Sequence, residues 1–186
     1  MTAPPATLAR THEVFNQSTP WADMNLFTTN QPLQDALRLH APGLGVADLT
    51  ALGAEMGSAE MQTHARLANT HKPQLRTHDR FGHRTDVVEF HPSYHALMGA
   101  ALRHGLHATP WSRQDTGHAH VERAAGFMLF TEAEPSILCP VSMSYAVTPA
   151  LRGNAAVWAD WSKGLAATQY DPRLALFSQK SALTMG

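Results

Sequence analysis

Only one of the 186 residues is a cysteine, Cys139. No disulfide can therefore form within the chain, and the count suits a reducing compartment. Charge of one sign is also missing: 14 Lys and Arg stand against 15 Asp and Glu, and no basic run occurs. The electrostatic footprint of a nucleic-acid binder is absent from this segment. No apolar run approaches the roughly 20 residues that cross a bilayer. The N-terminus, Met1-Thr-Ala-Pro-Pro-Ala-Thr-Leu-Ala-Arg10, has no basic region followed by an apolar stretch. The expectation is a soluble, cytoplasmic protein with no membrane association.

Several catalytic signatures are lacking as well. Gly43-Leu-Gly45 has neither the third glycine nor the preceding strand of a dinucleotide fingerprint. No G-x-x-x-x-G-K-[ST] loop, G-x-S-x-G elbow or H-E-x-x-H pattern occurs. Ser112, Asp115 and His118 fall in one short loop, whereas working triads join distant segments, so they read as a solvated loop.

What is present is a globular composition, 44% hydrophobic and 16% charged. A chain of this length builds one domain and buries about 70% of its unfolded surface. Residues 1–30 carry prolines at 4, 5 and 20 and read as an extended arm, pinned by Phe15, Trp21, Leu26 and Phe27. Asn30 and Pro32 open a helix that Pro42-Gly43 ends, with Leu33, Ala36, Leu37 and His40 on one face. Helices are expected from Val46 to Met56 and again after Ser58, until Lys72-Pro73. Leu75–Asp79 and Asp86–Phe90 flank Gly82 as a β-hairpin. Pro92 opens a helix with an apolar stripe of Tyr94, Leu97, Met98, Ala101 and Leu102.

After a polar loop over 109–117, Val121, Ala124, Ala125, Met128 and Leu129 repeat that spacing. Residues 135–149 leave little polar surface, which predicts a buried central helix around Tyr145, with Pro140 in its first turns or bending it. Asn154 caps a last helix bearing Val157, Trp158 and Trp161, and residues 181–186 read as the start of a strand. The fold class is mostly α: about six helices, one small hairpin and a terminal strand stub.

Histidine is abundant, at 12 residues. His91 and His95 are spaced to share a helix face and hold a metal, with Glu89 nearby. No third ligand is evident, so His91 reads as a helix cap, His95 as half-exposed, and no metal site is assigned. His104 and His107 end the Pro92 helix, where positive charge suits the dipole. Cys139, between Leu138 and Pro140, reads as a buried, inert thiol. Glu132 and Glu134 are ordinary acids at a helix junction, and Trp158 and Trp161 are packing residues. Residue chemistry alone thus reaches a helical domain with no catalytic, cofactor-binding or metal-ligating residue.

Resemblance carries further. Thr11-His-Glu-Val-Phe-Asn-Gln17, Gly57-Ser-Ala-Glu60 and Arg66-Leu-Ala-Asn69 resemble the AidB-type branch of the acyl-CoA dehydrogenase family. So do Asp86-Val-Val-Glu-Phe-His-Pro-Ser-Tyr-His-Ala-Leu-Met98 and Arg123-Ala-Ala-Gly-Phe-Met-Leu-Phe130. Leu138-Cys-Pro-Val-Ser-Met-Ser-Tyr-Ala-Val-Thr-Pro-Ala-Leu151, Tyr170-Asp-Pro-Arg173, Gln179-Lys180 and Thr184-Met-Gly186 follow in the same order.

The resemblance implies that residues 31–178 are the family's N-terminal helical domain, preceded by the arm over 1–30, and that 179–186 begin a middle β domain. It implies FAD as cofactor and an acyl-CoA thioester as substrate class. In that chemistry a glutamate removes the α proton while the β hydride passes to flavin. Members are homotetramers; the AidB type is linked to the response to alkylation damage and binds DNA through a C-terminal domain. The sequence stops at Gly186, before the family's Met-Thr-Glu-Lys-x-Gly-Gly-Ser-Asp flavin loop and its catalytic glutamate. The expectation is a chain that is inactive and holds no FAD tightly by itself, with the remaining domains as its partners. Ser142, Met143 and Ala146 are the expected lining of the acyl cavity. The rival readings are a free-standing helical interaction module and a His-rich metal binder.

Overall fold

The computed structural model describes residues 14–113 and 117–186. Asp115 and the first 13 residues of the expected arm lie outside them. Among the described residues the order is α1 (Gln31–His40), α2 (Ala47–Met56), α3 (Ala59–Thr70), β1 (Gln74–His78), β2 (Arg84–Glu89), α4 (Pro92–Arg103), α5 (Thr109–Ser112), α6 (Ala119–Ala133), α7 (Leu138–Arg152) and α8 (Ala155–Leu165). The fold is mostly helical, as expected; α5 adds a single helical turn where a loop was expected.

Local chemistry sets the helix starts. Asn30 Oδ1 accepts the Leu33 N–H at 3.0 Å, Ser58 Oγ accepts from Met61 at 3.1 Å, and Asn154 Oδ1 accepts from Val157 at 3.2 Å. Each satisfies a backbone donor that the first turn leaves unpaired. β1 and β2 pair antiparallel with Leu75 opposite Val88 and a bulge between Arg76 and His78. Gly82, at φ +86°, makes the turn. Nearly every hairpin residue is exposed on both faces, so the ribbon stands away from the helices.

The core lies where α2 packs along α6, α3 along α4, and α7 against α4 and α8. Leu52, Met56, Leu97, Met98, Leu102, Leu129, Phe130 and Val141 are essentially sealed from solvent. Burial of each such side chain is worth about 1.5–3 kcal/mol. The stripe expected on α4 is the buried one, with Tyr94 half-buried at its start.

The arm is pinned differently from the expectation. Leu26 and Phe27 are buried, but Phe15 and Trp21 remain 88% and 75% exposed. Hydrogen bonds do much of the docking: Leu26 N–H donates to Gly53 O at 3.0 Å, Met24 N–H reaches Gly57 O at 3.4 Å, Asn25 Nδ2–H donates to Thr50 O at 2.9 Å, and Asp23 Oδ1 accepts from Ala59 N–H at 2.8 Å. A Cβ at residue 57 would lie 1.8 Å from Met24 O, and one at residue 53 only 2.6 Å from Phe27 N. Two glycines one turn apart, Gly53 on α2 and Gly57 at its C-cap, therefore admit the arm.

The α6 register also needs correction. Ala119, Glu122, Ala125, Gly126, Leu129 and Phe130 face inward, while Met128 is exposed and Val121 only half-buried. Arg113 pairs with Glu122 at 2.9 Å, which makes an acid tolerable on the inner face. Gly126 sits where a Cβ would meet Leu106 at 2.7 Å. Charge pairing and close approach override side-chain hydrophobicity here.

Residues 181–186 form no strand. A strand needs a ladder partner, and this segment instead bonds to helices: Leu183 N–H donates to Gly164 O and Met185 N–H to Ser144 Oγ, both at 2.9 Å.

Candidate functional site on α7

α7 was expected to be buried on every side, and it is not. Leu138, Val141, Ser144 and Thr148 face the core, whereas Cys139, Met143, Ala146 and Ala150 are exposed. The exposed set recurs at i, i+4, i+7 and i+11, which is one helix face. Apolar composition had implied burial because nothing in a single segment tells which face the rest of the chain covers. Of the expected cavity-lining residues, Met143 and Ala146 lie on this open face and Ser142 is half-buried beside it.

The chain's last residues are fastened next to this helix. Ser144 Oγ donates to Pro140 O at 2.8 Å and accepts from Met185 N–H. Leu183 is buried on α8, where a Cβ at Gly164 would come within 2.7 Å of its Cγ. Upstream, Asp171 accepts from Ser181 N–H at 2.9 Å and from the Arg173 guanidinium at 2.9 and 2.6 Å. The Arg173 bond, with help from Ser181, holds the Asp171 carboxyl well below the usual carboxylate range. Ser144 and Gly164 were not singled out from the sequence. The only available signal was a serine inside an apolar run.

Behind α7 lies a stack of rings and guanidinium groups. The Arg123 guanidinium sits 4.1 Å from the Phe127 ring centre and 3.7 Å from that of Tyr145. Tyr145 stacks on Trp111 at 4.8 Å, and Arg152 lies between Trp111 and Trp158. Pro149 lies inside α7 and has no N–H for the Tyr145 carbonyl one turn earlier. Trp111 Nε1–H supplies the missing donor at 2.9 Å.

The histidines are put to separate uses. His91 accepts the Ser93 N–H at 3.1 Å as the α4 cap and stacks on His71 at 4.6 Å. His95 shares a 3.0 Å hydrogen bond with Tyr170 OH. Burial pushes the Tyr170 phenol up to about 12. Among the described residues no group of three His, Cys, Asp or Glu lies close enough to hold a metal ion. His104 lies 2.8 Å from Glu55 at the end of α4. His107 departs from its expected cationic role. It is fully buried, Nε2–H donates to Ala167 O at 3.0 Å, and burial pushes it down to about 4, with the Arg123 charge adding to the effect.

Glu134 is buried rather than an ordinary surface acid. Burial raises its carboxyl, but bonds from Ile137 N–H, Asn69 and Ser136 outweigh this and leave it below its ordinary value. Trp161 stacks on Phe177 at 4.7 Å, the packing role expected of it. Cys139, expected to be buried, is exposed because it begins the outer face of α7. No helix among the described residues is long and apolar enough to cross a membrane.

The helical layers, with a hairpin between the third and fourth helices, recur in two solved structures. The structure of Caenorhabditis elegans ACDH-11 in complex with C11-CoA superposes with a TM-score of 0.74 at 19% identity, covering 99% of this chain and 31% of that one. The apo form of Bd2924 gives a TM-score of 0.76 at 24% identity, over 84% of this chain and 32% of that one. Residues 16–172 match the adaptive response protein AidB N-terminal domain, and the chain belongs to that family. It is 36% identical over 178 residues, 95% of its length, to the Escherichia coli (strain K12) protein named "Putative acyl-CoA dehydrogenase AidB". It spans 33% of that relative.

Proposed function

We propose that this chain forms the helical N-terminal part of an FAD-dependent, acyl-CoA dehydrogenase-like flavoprotein of the AidB type, acting in the cytoplasmic response to alkylation damage. The observation that carries the reading is the exposed face of α7. In a chain of this family, Cys139, Met143 and Ala146 are left open beside a C-terminal segment bonded to the same helix. An apolar face of this kind suits one wall of a cavity completed by other parts of the polypeptide. When bound, FAD supplies the hydride acceptor. No residue of this chain is assigned to hold that group; Met143 and Ala146 line the acyl cavity and exclude water, with Ser142 at its edge. Ser144 holds Met185 and so ties that later segment beside α7. The general base and flavin-loop contacts are assigned to the two thirds of the relatives' length that this chain does not span. In this reading the assembly is a homotetramer, the substrate class is acyl-CoA, and DNA is met by a C-terminal domain.

The test is a fusion of residues 1–186 to the remaining two thirds of the E. coli relative. Purified with FAD, it is expected to be yellow, with one flavin per chain. Met143→Glu is expected to weaken acyl-CoA-dependent perturbation of the flavin spectrum without loss of flavin. A soluble fusion that never retains flavin overturns the assignment. A flavin-loaded fusion in which Met143→Glu changes nothing removes the wall role of α7.

A further inference from the structure

We propose that the groove where α5, the last turn of α7 and α8 meet binds an aryl carboxylate, with Arg152 taking the carboxylate. The groove measures about 400 Å³, and its walls include Trp111, Thr148, Arg152, Trp158, Lys163 and Leu165. That volume lies at the small end of ordinary ligand pockets, roughly 300–1,000 Å³. Thr148 faces the core and Arg152 follows it one turn later, so the groove lies away from the open face that Cys139, Met143 and Ala146 share. The two places occupy different sides of the same helix.

Charge in the groove has one sign. Arg152 and Lys163 line it, and no carboxylate does. α5 and α7 contain no acid, and the acid of α8, Asp160, lies outside the groove. Neither Arg152 nor Lys163 has a carboxylate within ion-pair distance among the described residues. This separates them from Arg103, Arg113 and Arg173, each of which meets an acid.

Arg152 is both positioned and open. Its Nη2–H donates to Trp111 O at 3.1 Å, and its guanidinium lies 5.6 Å from the Trp111 ring centre and 5.4 Å from that of Trp158. That bond uses one N–H of a group that carries several, and the residue is exposed. Donors therefore remain for a ligand at the groove. A carboxylate is the acceptor whose two oxygens match a guanidinium edge. Because the indoles already hold the guanidinium, little ordering is lost when a ligand arrives.

The walls choose the rest of the ligand. Trp111 and Trp158 present indole surface, which favours an aromatic ring, and Leu165 adds aliphatic contact. A sugar or a peptide backbone would find few groups there to pair with its donors and acceptors. A flat hydrocarbon body with one anionic head fits, and Lys163 adds favourable charge at the same groove.

The experiment uses the 186-residue chain, titrated with sodium cinnamate at constant ionic strength while indole and Arg side-chain N–H resonances are followed. Saturable shifts of the Trp158 Nε1–H and Arg152 Nε–H signals are expected. Acetate, which lacks the ring, and cinnamyl alcohol, which lacks the charge, are each expected to bind at least about tenfold more weakly. Arg152→Gln is expected to weaken cinnamate binding by at least about tenfold. That variant also loses the contacts with both indoles, so Ser162→Phe provides a second arm: it fills the groove that Ser162 lines and leaves Arg152 in place. Loss of the cinnamate response in Ser162→Phe, with a native Arg152 signal, supports the site. Acetate or cinnamyl alcohol binding as tightly as cinnamate, or unchanged cinnamate binding in Arg152→Gln or Ser162→Phe, overturns it.

Discussion

Met185 is hydrogen-bonded through its N–H to the buried Ser144 Oγ at 2.9 Å, so the end of the chain is tied to the middle of α7. Ser144→Ala leaves that N–H without its acceptor. The expected cost is about 1–2 kcal/mol, together with faster amide exchange at Met185 and unchanged exchange in α4. Denaturant titration and hydrogen exchange check both; Met185 exchange at the wild-type rate would refute the tie.

Gly164 matters for a steric reason. A methyl group there would press within 2.7 Å of Leu183 Cγ. Gly164→Ala is expected to destabilise the chain by about 1–3 kcal/mol through overpacking, or to release residues 182–186 from α8. A urea midpoint no lower than wild type, with Leu183 still buried by exchange, would show that the segment can shift without cost.

His107 makes stability depend on acidity. Its folded value of about 4 lies below the ordinary 6.5. The unfolded chain therefore binds the extra proton first as pH falls. The neutral ring's contribution is fully present above about pH 6.5 and is lost between there and about 4, up to about 3 kcal/mol. Unfolding free energies measured from pH 7 to 4 in wild type and His107→Asn should differ in slope across that window. A wild-type slope retained by the variant would assign the effect to another group.

Cys139 begins the open face of α7. A thiol-specific reagent is expected to label the native chain to one equivalent without denaturant. Met143→Glu on the same face is expected to alter stability by no more than about 0.5 kcal/mol. Labelling that requires unfolding would place α7 in the interior after all.

The sequence was most legible where local chemistry decides. The caps at Asn30, Ser58 and Asn154, the turn at Gly82 and the α4 stripe all follow from a few neighbouring residues. It was least legible where distant groups decide. Glu122 turns inward because Arg113 meets it. His107 loses its charge because Ala167 O and the core surround it. α7 has an outer face because nothing among the described residues covers it. The α7 residues Ser142, Met143 and Ala146 came from resemblance, whereas Ser144 and Gly164 emerge only when the chain end is seen in place.

The glycine pair at the C-terminal end of α2 leaves a signature that variation among related chains should carry. Position 57 faces the Met24 carbonyl, and position 53 faces the Phe27 backbone N together with the Asn25 and Phe27 side chains, so neither tolerates even a methyl group. Outward-turned positions such as Phe15 and Trp21 are free to drift. A saturation library scored for folded protein should therefore show two intolerant columns, at positions 53 and 57, facing a permissive stretch of arm.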